Sequence, residues 1–338
     1  MGLFAITACG SRTGIESPLE SGHEAAAQRC PGTQVGTLTK LADTGPGVVN
    51  VAIDTTSLYW REPGGAGLSV GLKKVPLCGG PVTVIATLPP QRSGPSVSPV
   101  AVYGQVVYVT SSAGLLSVPV TGGAPATLAA RGAAAIAVSG VGIYWSTGLA
   151  LLAMPLGGGV VTTVTDFGGN MIGDLALDAT SVYWADQSGS GGYIFRAPLG
   201  SAATSAASST LARLQVGEPY DFAVDGTNVY WSDAGGVMKA PSGGGAPVTL
   251  AARSLPAQDL GVDAVNVYWI EWESGALYGV PISGGAVATL ATFSTPSPRP
   301  PSGFLPVSSG PIAADGTNVY FAVPERDGPG RIMRLTVR

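Results

Sequence analysis

Oxygen is the donor chemistry this sequence offers. His23 is its one histidine and lies in a polar N-terminal stretch. Imidazole-based zinc sites and Ser-His-Asp or Cys-His catalysis are therefore excluded from the body of the chain. Carboxylates and amides remain, and they recur at fixed offsets. Asn50, Asp174, Asp221 and Asp259 each stand four residues before a turn position, which precedes a tyrosine by five. Gathered at one mouth, these side chains could hold Ca²⁺ or another hard cation through oxygen, the basis of a metal-dependent hydrolase or lactonase. The alternative is that they cap strand starts or accept main-chain N–H groups in loops. A second acidic set follows the Tyr-Trp strands: Glu62, Asp186, Asp233, Glu271 and Glu273. Within it, Glu271-Trp272-Glu273 adds a tryptophan beyond the repeat's own Trp269, an arrangement suited to a sugar or a cation. A ring folded onto its own rim would account for it equally.

The elements that position these residues are strands. Charged residues are 11% of the chain, while Gly (50) and Pro (27) are abundant and apolar residues reach 45%, which describes a turn-dense β protein. Aligning the chain on itself around Val-Tyr-Trp yields seven units. Their tyrosines are Tyr59, Tyr108, Tyr144, Tyr183, Tyr230, Tyr268 and Tyr320, and the turn positions before them are Asp54, Tyr103, Ser139, Asp178, Asp225, Asp263 and Asp315. A first strand runs into each turn and a second leaves it. A third strand ends near a proline such as Pro76 or Pro119, glycines follow, and a fourth strand such as Val248-Thr249-Leu250 completes the unit. Four antiparallel strands at this period make one blade of a β-propeller. The expected fold is all-β, a seven-bladed propeller over residues 36–338, with six blades as the alternative. The last unit lacks its fourth strand, and residues 36–42 form an orphan fourth strand ahead of the first unit. Pairing the two closes the ring.

The unit resembles the YWTD repeats of low-density-lipoprotein-receptor-type propellers and, more loosely, NHL and gluconolactonase-type propellers. Ala185-Asp186 and Ser232-Asp233 come nearest to the YWTD motif. That resemblance implies a mainly structural role for Asp186 and Asp233. Gluconolactonase-like propellers place acidic and amide oxygens around an axial metal, and the likeness here is one of position. Those families usually have six blades. Bacterial lipoproteins with similar repeats resemble the chain most as a whole.

Ile6-Thr7-Ala8-Cys9 resembles a bacterial lipobox. The resemblance implies residues 1–8 as the remnant of a signal, a lipid on the Cys9 thiol, residues 9–35 as a tether, and export to the outer membrane, periplasm or cell surface. Cys30 and Cys78 are then free to pair in an oxidising compartment, or to remain two thiols. No apolar run is long enough for a transmembrane helix, so membrane attachment is expected only through the lipid. A net charge of −4 gives no footprint for nucleic acid, and a monomer is expected.

In a propeller the first–second and third–fourth strand turns share one rim, here called the bottom. The other connections form the top rim. Long insertions fall on the top, at residues 61–71, 89–98, 187–192, 293–310 and 323–330, and mark it as the binding side. The expected function is non-catalytic binding of a protein or glycan there, with the metal-dependent hydrolase as the alternative.

Overall fold

The computed structural model describes residues 30–338 apart from 46–49, 63–69, 90–98, 112, 131, 148, 167–171, 187–191, 201–208, 215–220, 254–256, 294–311 and 324–328. Its strands form seven four-stranded antiparallel sheets. Taking strands A to D outward from the axis, blade 5 comprises Asp221–Val224, Asn228–Asp233, Gly236–Pro241 and Val248–Ala252. Blades 1, 2, 3, 4 and 6 span residues 51–88, 100–129, 135–166, 172–213 and 258–292 in the same order. Blade 7 takes strands A to C from residues 312–336 and its D strand from Leu38–Thr44, which pairs antiparallel with Gly330–Thr336. The ring closes through the front of the chain, as expected.

Strand B holds the core together. Its Tyr faces the next blade in chain order: Tyr59 packs with Val100, Val102, Val107 and Val109. Its Trp faces the preceding blade: Trp60 packs with Ala313 and Tyr320 of blade 7. Trp60, Trp145, Trp184, Trp231 and Trp269 are all essentially fully buried. Rings of this size each remove on the order of 200 Å² from water, so the blade interfaces are the core.

Closing seven blades brings neighbouring A strands into contact near the axis, and side-chain size adjusts to that. The residue opposite each Tyr is small: Ala52, Ala101, Ala137, Ala176, Ala223, Gly261 and Ala313. A Cβ on Gly261 would lie 2.5 Å from Ile312 Cγ2 of blade 7.

The outer D strands carry a feature the repeat did not reveal. In all seven blades the C–D register slips by one residue. Leu72 pairs with Ala86 but Lys73 with Val84, so Ile85 is the extra residue. Its counterparts are Leu128, Val164, Leu211, Leu250, Leu290 and Leu41, all branched apolar side chains that are buried or half-buried. The bulge turns two successive residues inward, such as Ile85 and Ala86, and twists the outer edge away from further strand pairing.

Candidate functional site

At the top mouth of the channel, Asn50 and Asp221 start their A strands and are almost completely buried. Asn50 Oδ1 accepts the Val100 N–H of blade 2 at 3.1 Å. Asp221 Oδ2 accepts the Leu260 N–H of blade 6 at 2.6 Å, while Oδ1 accepts its neighbour Phe222 N–H at 2.6 Å. The two residues perform one task four blade positions apart in the chain: each clips the start of its own A strand to a main-chain amide of the next blade's A strand. Removing a buried acceptor of this kind costs roughly 1–3 kcal/mol.

Asp259 occupies the same position in blade 6 but sits at a register shift between Gln258 and Gly261. Its φ of 52° is the single positive value at a non-glycine residue among those described. Its Oδ2 accepts the Trp272 indole N–H at 2.7 Å. Asp174 lies at a matching slip in blade 4, between Ile172 and Leu175, and its side chain falls outside the described residues. Among the described residues, no group of three or more His, Cys, Asp or Glu side chains could hold a metal ion.

The Glu271-Trp272-Glu273 segment divides into three different environments. Glu271 is buried and accepts from Arg253 Nε at 2.5 Å, from Trp269 Nε1 at 3.3 Å and from Ser274 Oγ at 3.5 Å. Arg253 follows strand D of blade 5 and lies 4.4 Å over the Tyr278 ring, which stacks on Trp269. The hydrogen bond to Glu271 holds the Arg253 guanidinium above its ordinary pKa despite partial burial. The cluster therefore couples blade 5 to blade 6. Trp272 is half-buried, with its edge against Phe293 at 5.8 Å. Glu273 is exposed.

The remaining acidic residues behave similarly where described. Asp233 is buried, accepting Gly235 N–H at 2.7 Å and Trp231 Nε1 at 3.4 Å. Glu62 bridges Lys73 at 2.7 Å and the Gly45 amide at 3.2 Å, joining blade 1 to the closing strand. The Asp186 side chain and Cys9 lie outside the described residues. At the end of strand B in blade 1, burial pushes the Arg61 guanidinium down to about 10.

The bottom rim has its own periodic chemistry. In five blades the turn aspartate accepts main-chain amides through one oxygen and the tyrosine hydroxyl through the other. Asp225, for example, takes Thr227 and Asn228 N–H on Oδ1 and Tyr230 OH on Oδ2 at 2.6 Å. Burial opposes ionisation of Asp225, but these hydrogen bonds outweigh it and hold the carboxyl below its ordinary pKa. Among the described residues, four cations on C strands are seen to cross to the next blade. Lys74 Nζ donates to Val120 O at 2.8 Å, Arg196 to Ser242 O at 2.6 Å, Lys239 to Ile282 O at 2.7 Å and Arg334 to Leu77 O at 3.0 Å. Sequence reasoning missed these staples and Arg253. A signal for the first three was present, a cation two residues before the strand-ending proline. Cys30 and Cys78 are joined in a disulfide with a Cα–Cα distance of 5.0 Å. Cys78 sits in the bottom turn between Val70–Pro76 and Thr83–Leu88.

No protein-family model matches the chain, and no curated protein does. Solved structures share its fold. Streptogramin B lyase superposes with a TM-score of 0.61 at 9% identity, covering 89% of this chain and 98% of that one. The computationally designed Ika8 protein gives 0.55 at 12% identity, over 84% and 83%. BamB from Moraxella catarrhalis gives 0.50 at 14% identity, over 87% and 86%. At these identities the likeness is one of fold.

Proposed function

We propose that this chain is a non-catalytic envelope protein, tethered through a lipid on Cys9, that binds a protein or glycan with its top rim. One observation carries the reading. The oxygens of Asn50 and Asp221 that a metal would need at the channel mouth accept main-chain N–H groups, those of Val100 and Leu260 in the next blade and of Phe222 in the same strand. A propeller whose axial groups serve ring closure has its variable chemistry in the top loops. The Cys30–Cys78 disulfide supports residence in an oxidising compartment. The fold does not choose between binding and catalysis, since a lyase shares it. In the ligand site we place the exposed Glu273 and the half-buried Trp272.

The test combines a glycan array and capture from envelope extracts with variants lacking most of residues 294–310 or carrying Trp272→Ala. Ligand retained by the intact protein and lost in these variants is the expected result. A Ca²⁺ isotherm by calorimetry, with lactone turnover abolished in Asp221→Asn, would replace this reading with the metal-dependent hydrolase.

A further inference from the structure

We infer that the bottom rim of this propeller is a membrane-facing surface, resting flat on the lipid bilayer to which the chain is tethered. The inference rests on the anchored reading above and adds an orientation and a contact surface to it.

The first observation is where apolar side chains remain in water. Val35, Val82, Val141, Val160, Val161 and Val265 are between 41% and 78% exposed. Val82, Val160 and Val161 stand between strands C and D of their blades. Val141 and Val265 stand in A–B turns, and Val35 precedes the closing D strand. All are therefore on the bottom rim, in blades 1, 3, 6 and 7. Among the described residues the other exposed large apolar side chains are Leu38, Val84 and Val248, on the first two residues of D strands, and Leu149, which stands on the top rim between strands B and C of blade 3. Scattered single apolar residues are ordinary, but their concentration toward one rim is not.

The second observation is the charge beside them. Bottom-rim aspartates are engaged by turn amides and tyrosine hydroxyls, and Lys74, Arg196, Lys239 and Arg334 by carbonyls of the next blade. Arg338 pairs with Asp263 at 2.9 Å. Between Ser93 and Thr165, which covers blade 2 and all of blade 3 but its last residue, Asp166, the sequence holds one charged residue, Arg131. Such a rim loses little charge hydration on meeting a low-dielectric surface.

The third observation identifies the occupant. The disulfide to Cys78 pins Cys30 to the bottom rim, so the 29 residues that carry Cys9 join the propeller on that side. A lipid on Cys9 then brings the valine-bearing rim to the bilayer and turns the long top loops away from it. The studs also suit lipid better than a protein partner. Protein interfaces concentrate affinity in Trp, Tyr and Arg, and Val is under-represented among such anchors. A few small apolar side chains cannot hold a protein on a membrane alone, but they set its orientation once an acyl anchor is present.

The experiment couples the intact chain, through Cys9, to a maleimide phospholipid in phosphatidylcholine vesicles. Orientation is then read whether or not cells lipidate Cys9. Hydrogen exchange should slow at the turns containing Val141, Val160 and Val265 relative to the uncoupled chain, with top-rim exchange unchanged. Val141→Asp combined with Val160→Asp should abolish that protection while leaving the Tm within a few degrees. Protection on the top rim, no protection on either rim, or bottom-rim protection that appears with protein concentration in the absence of vesicles would overturn the inference. The last outcome would assign the rim to a second copy. The mass of the Cys9 peptide from bacterial membranes tests the anchored reading separately.

Discussion

The seam between blades 7 and 1 and the sector of blades 2 and 3 are built from the same repeat and held by different forces. At the seam the sheets belong to opposite ends of the chain. It is closed by a disulfide, by Arg334 on Leu77 O, with a second contact to Thr39 Oγ1 at 3.4 Å, and by Glu62 on Lys73 and the Gly45 amide. Blades 2 and 3 have Tyr103 and Ser139 in place of the turn aspartate, and Ser117 and Ala153 in place of the stapling cation. There the Tyr144 hydroxyl accepts the Gly200 amide at 2.8 Å, and Ser139 Oγ accepts Val141 N–H at 3.3 Å. Short covalent connections already keep these blades together, and apolar packing suffices. Where the chain is discontinuous, loop-closure entropy opposes contact, and cross-links oppose it in turn.

The largest test of that contrast is reduction of the disulfide. With a separation of 48 residues, the loop-entropy argument gives a loss on the order of 4 kcal/mol. Denaturant titration of oxidised and reduced protein measures it, and hydrogen exchange should quicken first in Leu38–Thr44. Opening that began in blades 2 and 3 would refute the contrast.

Arg334→Met should follow, costing about 2 kcal/mol because a buried carbonyl loses a charged donor. Ser117→Ala, at the equivalent position of blade 2, should change stability by no more than about 0.5 kcal/mol. The bottom turns give a similar pair: Asp225→Ala should cost about 2 kcal/mol and Ser139→Ala about 0.5 kcal/mol. Equal costs within either pair would break the comparison.

Alkaline titration sharpens it further. Burial raises all seven strand-B tyrosines above the ordinary 10.0, and a neighbouring aspartate adds to this at Tyr59, Tyr183, Tyr230, Tyr268 and Tyr320. A raised tyrosine pKa means that the folded state favours the neutral phenol. The stability it confers is complete below pH 10 and is lost as pH climbs toward the folded value. Tyr108 and Tyr144, which lack the aspartate, should ionise first by ultraviolet difference absorbance. Ser139→Asp, which installs the missing turn acceptor beside Tyr144, should add about 1 kcal/mol of stability, read by denaturant titration.

Much of this architecture was legible because it is periodic. The offset from Asp225 to Tyr230 recurs wherever the A–B hairpin does, and the closing role of the front strand followed from a D strand missing at the other end. The candidate site was less legible. Asn50 and Asp221 were selectable by position, but the amides they serve belong to Val100 and Leu260, 50 and 39 residues away. Glu271 could be singled out, but its partner Arg253 lies outside the repeat's marked positions.

The residue pattern alone determined strand order within a blade and the route of closure, and it favoured seven blades over six, because alternation and turn chemistry act over a few residues; the seven sheets of the ring then fixed the number. Tertiary structure decided the D-strand bulges at Ile85 and its six counterparts, the burial of Glu271 and the pairing of carboxylates with amides of another blade. These depend on the distance between sheets, and that distance exists only once seven blades share one ring.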